Sequence, residues 1–282
     1  MYRFLLSRRW LGGLALAVVV AIGCALLGLW QWDRRQQQVE RNALVTGNYD
    51  RTPAPLTALL PAPAADLPAG SEWTPVALSG RYLPDASLLL RNRPLDGRPG
   101  YHSLVPFETD DGAVLLVDRG WLPIGATGAG PDDVPAPPDG DVRAVVRLRP
   151  AEREATRDAP AGQVHTIDPS RAAALLPGSL AGGLRTGAYG VLGSEQPAAA
   201  ATPLTLPRPA IDEGPHLSYS LQWFVFALGA LVAFVVLVRR TAGDAEGRPP
   251  AVRPGRRRPS AEDEEDALLD AAERAGSTPR AG

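Results

Sequence analysis

Lysine is absent from this sequence. All 29 basic side chains are arginine, set against 31 acidic ones, and a formal net charge of -2 points to no particular class of charged partner. One cysteine, Cys24, is present. No intrachain disulfide can form, and neither a cysteine-based metal spacing nor a C-x-x-C redox pair is possible. Histidine is nearly as scarce, with His102, His165 and His216 the whole supply. There is no G-x-S-x-G and no H-E-x-x-H. HTIDPS sets His, Asp and Ser side by side, but a catalytic triad is assembled in space and not along the chain. GATGAG is followed by Pro-Asp-Asp where a phosphate cradle would need a helix. No catalytic constellation emerges, and the chain is read as non-enzymatic.

What the sequence does have is two long apolar runs. LGGLALAVVVAIGCALLGL, residues 11–29, carries no charge, and nineteen helical residues reach about 28 Å, the thickness of bilayer hydrocarbon. Trp10, Trp30 and Trp32 flank it, where interfacial rings belong. A cleaved signal peptide or a lipoprotein box around AIGC are the rival readings. The run outlasts an ordinary signal core, and no A-x-A site stands at its end, just before Trp30. The second run covers 217–238 and ends at Arg239-Arg240. Acidic Asp212 and Glu213 precede it and arginines follow, so both termini are expected in the cytoplasm of a bacterial cell, with the chain crossing the plasma membrane twice.

Between the runs, WDRRQQQVERNAL extends the first helix. TPAPLTALLPAPAADLPAG is a connector too broken by proline for regular structure. WTPVALSGRYL, ASLLLRN, YHSLVPFET, AVLLVDRGWLP, DVRAVVRLRP and AYGVLGS read as strands, and DPSRAAALLPG as a short helix opened by Asp168. The predicted fold is therefore two transmembrane helices flanking a mainly-β (α+β) antiparallel extracytoplasmic domain, a small barrel or a sandwich. Its segments are a cytoplasmic N-terminus (1–10), the first span (11–29), an extension and connector (30–71), the external domain (72–215), the second span (217–238) and a disordered cytoplasmic tail (239–282).

His216 opens the second run. On a helix it shares one face with Tyr219, Ser220 and Trp223. Gly13, Ala17, Ala21 and Ala25 form a small-residue ridge on the first helix, and Gly229 and Ala233 a similar notch on the second. Such a pair offers an apolar face to a flat hydrophobic ligand or to partner helices. A neutral imidazole at its rim suits haem iron, and Arg34 and Arg35 suit propionates. The same residues also fit a plain interfacial belt with snorkelling arginines. Both readings are open at this point.

LGLWQWDRR, LSGRYL, RNRPLDGRPGYHSLVPF, VDRGWLP and HLSYSLQWFVFALG, in this order, resemble the marks of the Surfeit locus protein 1 family, membrane-bound assembly factors for cytochrome c oxidase. The resemblance implies a non-enzymatic role in maturing oxidase subunit I, together with other assembly factors, by helping haem a reach its site. It implies that His216 is the haem ligand, and the residue pattern read above adds Tyr219, Trp223, Arg34 and Arg35 as its candidate neighbours. Arg91, Asn92, Arg93, Pro94, Gly100, Tyr101, His102 and Pro106 match one family motif, and Arg119, Gly120 and Trp121 another. Asp118 stands where many members carry asparagine. A cofactor-free membrane scaffold for an assembly intermediate is the alternative, and no nucleic-acid partner is expected.

Overall fold

The computed structural model describes residues 6–152, 159–174, 176 and 178–247. The tail expected to be disordered lies outside the described residues from 248 onward. The chain falls into two compact units, one from Met1–Gly28 with Leu221–Gly282 and one from Leu29–Ser220.

The helical unit contains the first half of one long helix, α1 (Arg8–Asn48), and all but the first turn of another, the last helix of the chain, His216–Gly247. Both are long and apolar enough to cross a membrane. Outward-facing apolar side chains such as Val19 and Val225 are about two-thirds exposed, a surface that hydrocarbon would cover. The predicted ridge on α1 is the face that packs: Ala21 is buried, and the Phe234 ring lies over Gly13 while meeting Trp10 edge-on at 6.1 Å. The notch on the second helix is not where it was expected. Nothing lies within 4 Å of a Cβ placed on Gly229, because the rings of Phe224 and Phe234 seat on the α1 glycines instead. Helix also continues through 239–247, where a tail was expected to start, since no proline occurs before Pro249.

The second unit is built on eight strands: β1 (Ala54–Pro55), β2 (Pro75–Tyr82), β3 (Leu88–Leu90), β4 (Gly100–Thr109), β5 (Val114–Pro123), β6 (Val142–Pro150), β7 (Gln163–Val164) and β8 (Ala188–Gln196). Three short helices are α2 (Leu56–Leu59), α3 (Pro169–Ala173) and α4 (Gly178–Ala181); the last helix of the chain is α5. Strict alternation on β2 and β6 sends Val76, Leu78, Val142, Ala144, Val146 and Leu148 inward. β2 pairs with β6, β6 with β8, β8 with β5, β5 with β4, and β4 again with β2. The five strands therefore close into a ring, a small barrel filled by Phe107, Leu115, Val117 and their neighbours.

The sheet is mixed, which corrects the expectation of an antiparallel domain. β5/β8, β1/β2 and β3/β7 are parallel. Strand directions cannot alternate all the way round a closed ring of five, so one neighbouring pair has to run the same way. Here it is β5/β8. β4 and β5 are buried on both faces because Leu104 and Leu116 point outward into a second cluster with Leu88, Leu90, Ile167 and Tyr189.

The connector is also more ordered than its prolines implied. It forms β1 and α2, with Leu56 and Leu60 in the barrel core. Burial of the leucines outweighs propensity, and Pro55 stands just before α2, where no helical N–H is needed. Arg185 Nε donates to the Leu60 carbonyl at 3.0 Å, and Thr186 N donates to that of Pro63 at 2.8 Å.

Candidate functional site

Gly214 turns the chain into α5 with φ +64°, a conformation that glycine adopts without strain, and Asp212 Oδ1 accepts its N–H at 2.8 Å. His216 then begins the helix. Its Nδ1 lies 2.9 Å from Gln31 Oε1 on α1. The amide oxygen is an acceptor only, so in the neutral ring the proton sits on Nδ1 and the lone pair on Nε2. One turn further along α1, Arg35 pairs with Glu213 at 2.7 Å. Gln31, Arg35, Glu213 and His216 are thus brought together within the Leu29–Ser220 unit.

Arg34 is not part of this group. It is exposed, 5.9 Å from the Trp30 ring and 3.4 Å from Gln37 Oε1. Tyr219 is nearly half exposed. Trp223 belongs to the helical unit, where it meets Phe226 edge-on at 5.9 Å. Sequence reading missed Gln31, although a polar side chain inside LWQW, one turn before two arginines, was a usable signal.

The two motifs of the external domain converge. Asn92 takes a left-handed backbone, φ +59°, and turns the loop after β3 so that Arg93 N donates to the Gly100 carbonyl at 3.0 Å. Trp121 Nε1 donates to the Arg93 carbonyl at 2.7 Å. The indole lies so close to Gly100 that a Cβ there would sit 2.4 Å from it. Arg93 also pairs with Glu152, and Arg91 N and Val164 O join the same loop to β7. Tyr101 and Pro106 are buried within β4. His102 Nδ1 lies 2.7 Å from Asp118 Oδ2, and Asp118 Oδ1 accepts the N–H of Gly120 at 3.1 Å. The extra charge of Asp118, which is 2% exposed, is met in this way. Asn92, Arg93, Pro94, His102 and Asp118 line one cavity of about 630 Å³. Trp121→Phe should keep the ring packing but lose the bond to Arg93. We expect a cost of about 1 kcal/mol and a melting midpoint lower by roughly 3 °C, read by circular dichroism on the purified chain.

Arg119 points the other way, into the barrel. Its Nη2 lies 2.8 Å from Glu195 Oε1, and Tyr82 Oη donates to Glu195 Oε2 at 2.8 Å. The guanidinium stands 5.2 Å from the Tyr82 ring, and Nη1 donates to the Pro135 carbonyl at 3.1 Å. Arg119 is therefore a buried structural cation, while His102, Asp118 and Arg93 face a cavity.

The profile of the SURF1 family matches residues 18–228. An uncharacterized SURF1-like protein of Mycobacterium tuberculosis is 30% identical over 267 residues, covering 89% of this chain and 93% of its own. A SURF1-like protein of Rickettsia bellii is 30% identical over 110 residues, covering 37% of this chain and 41% of its own.

Proposed function

Because the chain belongs to the SURF1 family, we propose that it is an assembly factor for cytochrome c oxidase, working by binding and not by catalysis. In this reading it sits in the bacterial plasma membrane with both termini in the cytoplasm, and it hands haem a, as cargo, to oxidase subunit I. The observation that carries the haem reading is the His216–Gln31 contact. A hydrogen bond on the far ring nitrogen fixes the tautomer and direction of a ligating imidazole. His216 Nε2 would hold a bound haem by offering its lone pair to the iron.

The rest is done by the protein's own side chains. Gln31 keeps the Nδ1 proton away from Nε2. Arg34 is exposed and, among the described residues, meets Gln37 and the Trp30 ring and no carboxylate, so it is available to a propionate. Arg35 can serve only by exchanging Glu213 for one. Tyr219 and Trp223 follow on α5 as ring surfaces.

The test is spectroscopic, on full-length protein purified from membranes of a host that makes haem a. His216→Ala should lose the bound haem. Gln31→Leu should weaken loading by roughly ten- to a hundredfold, as other supports of ligating histidines do. Equal haem in wild type and His216→Ala, or none in any sample, sinks the ligand assignment.

A cofactor-free scaffold is favoured by one observation: Arg35 already has a carboxylate. Removal of a scaffold leaves the oxidase unassembled, whereas removal of a haem carrier leaves it assembled and short of haem.

A further inference from the structure

The cavity on the outer face of the barrel has the composition of a binding site for a small molecule. Its charged groups are nearly all matched, Arg93 by Glu152 and His102 by Asp118. Two of the groups left over bear on a ligand. Arg147, on β6, gives its Nε to the Tyr49 carbonyl at 3.0 Å and lies 3.7 Å over that ring, but no carboxylate among the described residues pairs with it. The second is Nε2 of His102, which makes no hydrogen bond with any described residue.

Both groups are held in place. Arg147 is stacked on Tyr49, whose ring also lies 4.6 Å from the guanidinium of Arg208, itself paired with Asp50. His102 is gripped by a carboxylate that is itself 2% exposed. The remaining wall includes the aliphatic side chains of Leu90, Leu192 and Leu206.

The chemistry of each group restricts the ligand. A guanidinium fork without a partner takes a carboxylate. Asp118 accepts the proton of Nδ1, so in the neutral ring Nε2 is an acceptor and asks for a hydroxyl or N–H. A second carboxylate at that end would face Asp118 and be repelled. We propose that this cavity binds a hydroxy acid with an apolar body, its carboxylate on Arg147, its middle against the leucines and its hydroxyl donating to His102 Nε2. The site is separate from His216, so Arg147→Gln leaves haem loading unchanged.

Calorimetry on the full chain in lipid nanodiscs, against empty nanodiscs, tests this with two probes. Para-hydroxycinnamate has an aromatic body and omega-hydroxydodecanoate an aliphatic one, so the pair also tells which body the wall prefers. At least one should bind saturably. Its analogues lacking the hydroxyl (cinnamate or dodecanoate) or the carboxylate (the corresponding alcohols) should bind roughly tenfold more weakly or worse. Arg147→Gln should abolish the preference for the carboxylate, and His102→Phe the preference for the hydroxyl. Leu206→Trp, on a partly exposed segment, fills the cavity without touching either polar group and should block binding. The proposal is overturned if neither probe saturates, if Arg147→Gln changes nothing, or if folded Leu206→Trp binds like the wild type.

Discussion

Glu195→Ala is expected to destabilise the barrel domain by about 3–5 kcal/mol, the usual cost of leaving a buried charge without its partner. The side chains of Arg119 and Glu195 are 0% and 6% exposed, so water cannot replace the lost carboxylate. Two donors are stranded at once, since Tyr82 Oη gives its hydrogen bond to the same group. Burial pushes the Tyr82 phenol far above the usual range for tyrosine, and the charge on Glu195 adds to this, so the hydroxyl remains a donor at every pH the membrane survives. In a thermal melt of the purified full chain, the loss should appear as a midpoint lower by roughly 10 °C or more. Glu195→Gln keeps an acceptor for one donor and should fall between the two. A melt for Glu195→Ala within 2 °C of wild type would show that the Arg119 charge is accommodated by something other than Glu195, with ~2 °C corresponding to less than about 1 kcal/mol.

Gly80→Ala should do comparable damage by steric means. Gly80 is paired on both sides, with Thr109 of β4 and with Val142 of β6, and so sits where the ring closes. Its φ is +152°, and a Cβ there would stand 2.0 Å from the Glu108 carbonyl oxygen and 2.8 Å from the Thr109 Cα. Backbone cannot yield as a flexible side-chain tip does, so β2 and β4 would have to part. Strain of about 1–3 kcal/mol for the dihedral and about as much again for the overlap gives an expected loss of about 2–6 kcal/mol. The readout is urea unfolding of the detergent-solubilised chain, followed by tyrosine and tryptophan fluorescence. Gly97→Ala is the control: it also has positive φ but nothing within 4 Å of its Cβ. It should lose only the smaller, dihedral part.

Much of the fold was legible because alternation is a local property. PVALSGRY and VRAVVRLRP announce their inward faces residue by residue, and the two apolar runs announce their helices. Strand order is not local. Nothing in AYGVLGS says that β8 will slip between β5 and β6, so its parallel contact with β5 was invisible. Leu56 and Leu60 look like loop residues among prolines until a core is there to receive them.

The candidate site divides in the same way. His216 stands out at the start of an apolar run, and the family resemblance marks His102 and Trp121. Their partners do not stand out. Gln31 lies 185 positions from His216, Asp118 lies 16 from His102, and Arg93 lies 28 from Trp121. Only folding reveals that the loop after β3 and the middle of β5 share a cavity, or that Arg119, in the second motif, turns away from it.

The place of β8 in the ring has a consequence for biosynthesis. β8 is the last of the barrel strands to leave the ribosome, and it fills the gap between β5 and β6. Until residue 196 has been made, both of those strands present unpaired edges to their surroundings. Only nineteen residues separate Gln196 from the first residue of α5. Closure of the barrel and synthesis of the start of α5 therefore fall within the same short interval of translation.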